Sequence, residues 1–129
     1  MVKRKKAGVY VVPGRSPWEH ELRVAEILVA VGHCVEFLEE GALPCADIRL
    51  DGVEYEIKSP ETAKLASVEQ LIRKALKQAP NIIIDSSRCK IREDRLRQYL
   101  IYKFREQKQI KRLLFITKSR EIIDIAKQE

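Results

Sequence analysis

Residues 47–58 read DIRLDGVEYEIK, and this stretch decides the fold of the chain. The dipeptide Asp51-Gly52 predicts a type I′ turn, because both central residues of such a turn need positive φ. The turn is expected to join strands over residues 46–50 and 53–59 and to place Asp47 opposite Glu56. Since side chains alternate along a strand, Glu56 and Lys58 lie on one face of the hairpin together with Asp47.

This face of the predicted hairpin carries the residues that point to chemistry. Two carboxylates directly opposite each other repel, and a divalent cation between Asp47 and Glu56 would convert that repulsion into binding. Such an ion lowers the pKa of bound water and neutralises charge that develops on a phosphate, while Lys58 adds a fixed positive charge. Glu54 lies opposite Arg49 and is interpreted as an ion-pair partner. The hairpin therefore predicts a metal-dependent phosphodiesterase site.

Length and composition narrow the class of protein. The chain has 129 residues, which fits one domain over residues 1–129, and residues 1–7 form a basic arm that we expect to be mobile. The net charge of +6 and the pI of about 9.3 favour a nucleic acid partner. Cys34, Cys45 and Cys89 include no CxxC pair, so we expect free thiols suited to a reducing cytoplasm. No apolar run is long enough to span a membrane.

Periodicity and capping residues predict the remaining elements. Ser16 is the expected N-cap of a first helix, with Glu19 three residues later and Gly32 just past its end. Ser67 is the expected cap of a second helix. The predicted helices cover 16–31, 67–79, 92–108 and 121–127, and the predicted strands outside the hairpin cover 9–12, 34–38, 81–85 and 112–117.

The order of these elements predicts an α/β sandwich with a mixed sheet flanked by helices. The helix that follows the hairpin is a right-handed crossover, which places the strand at 81–85 parallel to the second hairpin strand.

The spacing of the charged residues resembles a known signature. Eight residues separate Asp47 from Glu56, and one residue separates Glu56 from Lys58. This spacing is similar to the PD-(D/E)xK motif of nucleases. The element order through Asp85 resembles the αβββαβ core of restriction-endonuclease-like proteins, followed here by a C-terminal helix, strand and helix. The resemblance implies that Asp47 and Glu56 bind Mg²⁺ or another divalent cation such as Mn²⁺. It implies that Lys58 positions or activates the attacking water, or stabilises the charged transition state.

The same resemblance implies two further site residues. A glutamate on the first helix is expected as a third metal ligand, and Glu21 matches its position, with Glu19 as the alternative. A glutamine on the helix after the hairpin is expected to take part in catalysis, and Gln78 is the candidate. The chain departs from the signature at Ala46, where many relatives have proline.

A narrower resemblance rests on the segments EIKSP, at 56–60, and KQAPNIIID, at 77–85. These segments are similar to those of the CdiA C-terminal tRNase domain of bacterial contact-dependent inhibition. The resemblance implies an endonuclease that cuts RNA, particularly tRNA, with Mg²⁺. It also implies a toxin that acts in the cytoplasm, delivered from another cell as part of a larger protein, and a dedicated immunity protein as partner.

Basic residues outside the hairpin are candidates for contact with nucleic acid. Lys74, Lys77, Arg92 and Arg95 are expected to meet phosphates. The helix at 92–108 also interleaves aromatic rings with its cations, which suits unpaired RNA. An ordinary solvated helix, in which Glu93 pairs with Arg97, explains the same pattern equally well.

Three alternatives to an RNA endonuclease remain open from the residues. The first is a DNA endonuclease of restriction or repair type, and the second is a non-catalytic nucleic-acid-binding module with the same fold. The third is an RNase that needs no metal and uses His20 or His33 as acid or base. Trp18 is expected to pack as a hydrophobic staple at the start of the first helix rather than to stack on a base.

Overall fold

The computed structural model describes residues 6–39 and 45–128 of the chain. Over these residues it contains seven strands in one sheet, three α-helices and a short 3₁₀ helix. The elements are β1 (Gly8–Val11), α1 (Glu19–Ala30), β2 (Cys34–Phe37), β3 (Ile48–Leu50), β4 (Val53–Lys58), α2 (Leu65–Leu76), β5 (Asn81–Asp85), α3 (Glu93–Glu106), β6 (Arg112–Ile116), β7 (Ile122–Asp124) and the 3₁₀ turn Ile125–Lys127.

The sheet is mixed, and its strands lie in chain order from β1 to β7. Strands β1 and β2 are parallel, β2, β3 and β4 run antiparallel to one another, β4, β5 and β6 are parallel, and β7 is antiparallel to β6. The predicted α/β fold is confirmed, including the order α1, β2, β3, β4, α2, β5. Helix α2 makes the crossover that lets β5 pair parallel to β4.

The hairpin has the predicted turn and register. Asp51 and Gly52 have φ of 47° and 86°, as a type I′ turn requires. Leu50 pairs with Val53 and Ile48 with Tyr55. The turn residues therefore set which side chains of the two strands meet.

Two apolar clusters cover the two faces of the sheet. Helix α1 contributes Val24 and Leu28 to one cluster, which includes Ile57 of β4. Helices α2 and α3 cover the other cluster, which includes Ile82 and Ile84 of β5. The central strand β5 is buried along its whole length, as its run of β-branched residues predicts.

Helix α1 begins later than its capping pattern predicts. Its first residue is Glu19 and its N-cap is Trp18, so the expectation of a Ser16 cap is wrong. Glu21, at the third helical position, accepts the N–H of Trp18 at 2.8 Å, which is the capping contact assigned to Glu19 from the sequence. The helix turns Val24 and Ile27 towards the sheet and leaves Leu22 37% exposed.

Two other predicted boundaries are wrong. Helix α2 begins at Leu65 with Lys64 as N-cap, because the N–H of Ser67 already bonds the carbonyl of Lys64. The helix predicted over 121–127 is instead β7 and the 3₁₀ turn, since pairing with β6 satisfies the backbone that an isolated short helix would leave exposed.

Three further predictions concern the basic arm, the cysteines and membrane-spanning helices. The basic arm lies mostly outside the described residues. Cys34, Cys45 and Cys89 are all free, as predicted, although Cys45 is only partly buried. In the described part of the chain, no helix is long and apolar enough to cross a membrane.

Candidate active site

Asp47 lies just before β3, and the pairing of β3 with β4 places it beside β4. Its Oδ2 accepts the backbone N–H of Ile57 at 2.9 Å. Burial raises the pKa of Asp47 above its ordinary range, and the neighbouring charge of Glu21 raises it further, while the bonds from Ile57 and Glu56 oppose this rise. Asp47 is thus held by the backbone of the strand that carries Glu56 and Lys58.

Glu56 is the least satisfied carboxylate of the site. It is 5% exposed, and its Oε1 has no hydrogen-bond partner within the described structure. Burial, and then the charge and hydrogen bond of Asp47, raise the pKa of Glu56 to about 7. The Nζ of Lys58 lies 3.3 Å from Glu56 Oε2 and opposes this rise. The buried Glu56 and the partly buried Asp47 therefore repel each other more than Lys58 alone offsets.

Lys58 and Glu56 lie on one face of β4, as predicted. Glu56 pairs with Ile82 and Lys58 with Ile84, so both point to the side of the sheet that α2 covers. Lys58 is the last residue of β4, and its side chain is 23% exposed. Lys58 thus contacts the buried carboxylate of Glu56 and is itself partly exposed to solvent at the end of β4.

Arg15 belongs to this site and was missed from the sequence. Its Nη2 donates to Glu21 Oε2 at 3.1 Å and lies 4.0 Å from Asp47 Oδ1. Its Nε donates to the carbonyl of Leu38 at 3.1 Å, and its guanidinium lies 5.5 Å from the ring centroid of Phe37. Arg15 precedes α1 in an irregular segment, and no motif or periodicity there indicates a buried cation.

Glu21 lies in the site but is engaged by its neighbours. One carboxylate oxygen accepts from Arg15 and the other accepts the N–H of Trp18. The fold brings Glu21 together with Asp47, Glu56 and Lys58, whereas Glu19 lines a surface groove. Glu21 is therefore the α1 glutamate of the site.

Gln78 is placed differently from the prediction. Helix α2 ends at Leu76, so Gln78 lies in the turn between α2 and β5 and its N–H bonds the carbonyl of Ala75. That turn leads into the amino end of β5, where Asn81 donates to the carbonyl of Glu54. The expectation that Gln78 stands on a helix is wrong, and no contact with the carboxylate pair supports its catalytic role.

The donor set of the site fits one divalent cation better than a three-carboxylate cage. Among residues 6–39 and 45–128, no three His, Cys, Asp or Glu side chains are arranged to hold a metal ion. Arg15 and the N–H of Trp18 already use the carboxylate of Glu21. The pair Asp47 and Glu56, with its unbonded Oε1, has the oxygen donors that Mg²⁺ takes when it is held by one or two carboxylates.

A further carboxylate, Asp85, ends β5 and is fully buried. It accepts from Arg23 Nη1 at 3.1 Å, from the N–H of Ser87 at 3.1 Å and from the Ser87 hydroxyl at 2.9 Å. The hydroxyl of Ser59 lies 3.4 Å from Oδ2, the oxygen that also accepts from the Ser87 hydroxyl. Because its oxygens are satisfied, Asp85 holds α1 and the end of β4 together rather than offering a free ligand.

The predicted phosphate contacts are exposed but lie on separate segments. Lys74 and Lys77 precede β5 at the end of α2, while Arg92 and Arg95 follow it at the start of α3. Arg92 is paired with Asp94 at 2.9 Å. These four contacts remain predictions.

Helix α3 packs through part of its basic and aromatic surface. Tyr99 and Tyr102 lie 6.4 Å apart between ring centroids, and Lys103 pairs with Glu69 of α2. Glu93 and Arg97, which the solvated-helix interpretation pairs with each other, have other partners. Glu93 accepts the N–H of Lys118, and Arg97 donates to Gln128.

The two histidines lie apart from the carboxylate pair. His33 bonds Asp51 Oδ2 at 2.6 Å beside the hairpin turn, which is the opposite end of the hairpin from Glu56. His20 lies on α1 and lines the surface groove.

Fold and site together define a mixed α/β domain whose central hairpin holds a pair of carboxylates, one of them buried, beside a lysine. Residues 44–122, more than half of the chain, match the family model described as the contact-dependent growth inhibition CdiA C-terminal domain. The chain belongs to this family, as the segments at 56–60 and 77–85 predicted. The match includes Asp47, Glu56 and Lys58, whereas Arg15 and Glu21 precede it.

A solved structure shares the fold. It is a CdiA-CT/CdiI toxin and immunity complex from Burkholderia pseudomallei, with a TM-score of 0.67 and 16% sequence identity over 90% of this chain and 96% of that chain. Among curated proteins, no sequence matches the chain.

Proposed function

We propose that this chain is a metal-dependent endonuclease that hydrolyses phosphodiester bonds in RNA, with tRNA as its substrate. The observation that carries the proposal is the pair of the partly buried Asp47 and the buried Glu56. Both pKa values are raised, and Oε1 of Glu56 is unbonded. Folding places these carboxylates together at a cost, and a divalent cation would relieve it. The placement also agrees with the PD-(D/E)xK pattern.

Each residue of the site has a proposed role. Asp47 and Glu56 hold the ion, which when bound neutralises charge on the phosphate and lowers the pKa of water. Lys58 stabilises negative charge that develops at the attacked phosphate, because its ammonium group is fixed beside Glu56 at the solvent-facing end of β4. Glu21 keeps Arg15 in place, and a direct role as third ligand requires it to leave Arg15.

The substrate class rests on charge and on the family. The net charge of +6 favours a polyanion. The tRNA preference comes from the resemblance to CdiA tRNase domains, and DNA is the nearest alternative. Because the solved relative is a toxin bound to its immunity protein, we propose that this chain is likewise a toxin, acts in the cytoplasm of a target cell and has a cognate immunity protein.

The proposal is tested by cleavage of total tRNA and of plasmid DNA by the purified chain, with Mg²⁺ and with excess chelator. Asp47→Asn should lower the rate about 10²- to 10⁴-fold, because the ion supplies several kcal/mol of transition-state stabilisation. Asp51→Asn is the matched control, since it alters a carboxylate of the same hairpin that lies at the turn, and it should keep near wild-type activity.

Each alternative gives a different result in this experiment. Cleavage of DNA in preference to tRNA would favour a restriction or repair enzyme. Binding of nucleic acid without cleavage would favour a non-catalytic module. Activity that survives both chelator and Asp47→Asn would exclude the carboxylate–metal mechanism and favour catalysis through His20 or His33.

A further inference from the structure

A surface groove lies between the amino-terminal half of α1 and the loop that follows β5. Its volume is about 810 Å³, within the range of pockets that bind small ligands. The groove adjoins the candidate active site, since Trp18 bonds Glu21 through its N–H and Arg88 bonds the carbonyl of Ser59, the residue after Lys58. Its lining includes Trp18, Leu22, Arg23, Glu26, Ser87 and Arg88.

Trp18 forms an exposed aromatic surface at one end of the groove. Its residue surface is 69% exposed, so the expectation that it packs as a staple is wrong. Leu22, four residues later and 37% exposed, lies on the same side of the helix start. A solvent-exposed indole beside a leucine is a costly surface for a monomer, and it is a suitable platform for a planar apolar group.

Two arginines also line the groove, Arg23 from α1 and Arg88 from the loop after β5, and each is held in place by other residues. Arg23 donates to the fully buried Asp85, and its side chain stays 27% exposed. Arg88 donates to Glu61 and to the carbonyl of Ser59, and its side chain stays 40% exposed. Cations anchored in this way keep donor N–H groups in a fixed direction, which favours a defined contact over loose attraction.

The charges of the groove balance, and this selects among possible occupants. Glu19 and Glu26 line it together with Arg23 and Arg88. A long run of phosphates would meet repulsion from the two carboxylates. A single unpaired nucleotide fits better, because its base can stack on an aromatic ring and its hydroxyl and amino groups can donate to carboxylates.

We propose that this groove holds one unpaired ribonucleotide of the substrate, with its base stacked on Trp18 and its flanking phosphate near Arg23 or Arg88. The proposal rests on the proposed RNase function and deepens it. It places the scissile RNA in single-stranded form, since a base within a duplex cannot leave its neighbours to stack on the indole.

Trp18 is the only tryptophan of the chain, so its fluorescence reports on the groove directly. Wild-type protein is titrated in excess chelator, where cleavage does not interfere, with a short single-stranded RNA and with the same sequence as a duplex. The single strand should quench the fluorescence saturably, and the duplex should not. The same single strand made of DNA should bind more weakly.

Variants are compared by anisotropy of the labelled single strand. Trp18→Ala should weaken binding about 5- to 100-fold, the range expected for loss of one base–aromatic stack. Trp18→Phe should retain most of the affinity. Val31→Ala, an exposed apolar residue at the other end of α1, should bind as wild type does.

The binding measurement is separate from the cleavage assay, so the two proposals can fail independently. Absence of quenching, or unchanged affinity of Trp18→Ala, overturns the groove proposal even if the chain cleaves tRNA with Mg²⁺; Trp18 would then be free to contact a protein. Equal affinity for duplex and single strand also overturns it. Saturable quenching by RNA without cleavage would support the groove and count against the nuclease.

Discussion

The two ends of the β3–β4 hairpin treat their carboxylates in opposite ways. At the turn, Asp51 is exposed, accepts the N–H of Cys34 at 2.8 Å and bonds His33. At the other end, Asp47 and Glu56 are packed against each other, and Glu56 has an oxygen without a partner. At both ends an aspartate accepts a backbone N–H, but only the second end also holds a buried glutamate whose charge is costly.

This difference separates a structural carboxylate from a candidate metal ligand. Asp85 supports the distinction, because it is fully buried and yet accepts from Arg23, Ser87 and Ser59. Burial alone therefore does not mark a candidate ligand. The mark is burial together with unmet hydrogen bonds and a like-charged neighbour.

The largest effect on stability should come from substitution of Arg15, the cation that contacts Glu21 and lies near Asp47. Arg15→Met leaves Glu21 buried without its partner, and loss of one member of a buried pair costs about 3–5 kcal/mol. Urea unfolding at neutral pH measures this loss. The double variant Arg15→Met with Glu21→Gln should recover most of it, because the uncompensated charge is then gone.

The matched change at the turn is His33→Ala. The pair of His33 and Asp51 is largely solvent-exposed, so its loss should cost less than about 1 kcal/mol. Equal losses for Arg15→Met and His33→Ala would mean that the two ends do not differ as described.

The sequence predicted the hairpin because its signals are local. Asp51-Gly52 determines the turn, the turn determines the register, and the register places Asp47 beside Glu56 and Lys58 on one face. The same holds for β5, where a short apolar run next to Pro80 leaves little alternative to a buried strand.

The features that were missed depend on contacts between distant segments. Arg15 enters the site only because α1, Leu38 and Asp47 converge around it, and nothing in its own neighbourhood indicates that. Strand β7 forms because β6 offers a free edge, whereas its own residues suit a helix as well. Trp18 looked like a staple because its sequence context does not say whether an apolar partner lies within reach.

The second prediction concerns the pH dependence of stability at the site. The pKa of Glu56 is about 7 in the folded chain against an ordinary 4.5. Below pH 4.5 the group is protonated in both states, and its contribution is fully present. Between pH 4.5 and 7 the unfolded chain has lost the proton that the folded chain still binds, so the free energy of unfolding falls as pH rises. The fall is complete once pH has passed 7 and amounts to about 3 kcal/mol in all.

Urea titrations from about pH 5 to pH 8 measure this slope. Glu56→Gln should flatten it and be more stable than wild type at the upper end, while being inactive. Some slope should remain, since the pKa of Asp47 is also raised. Glu54→Gln, on the same strand but exposed, is the control and should keep the wild-type slope; a slope unchanged by Glu56→Gln would contradict the assignment.

The last prediction concerns the glycine of the turn. Gly52 has φ of 86°, and a Cβ placed there would meet nothing within 4 Å, so Gly52→Ala tests backbone strain alone. A left-handed alanine costs about 1–2 kcal/mol. Gly8→Ala is the matched control, because its Cβ would meet only ordinary contacts, the nearest at 3.7 Å, without a positive φ.

Gly52→Ala should lower the free energy of unfolding equally at every pH between about 5 and 8, because the turn carries none of the site's shifted carboxyls. Its cleavage rate should match wild type at temperatures where both are folded. If Gly52→Ala instead changed the pH slope, the turn would control the spacing of Asp47 and Glu56. The two ends of the hairpin would then act as one unit, because the register set at Asp51-Gly52 would determine how strongly Asp47 and Glu56 repel each other.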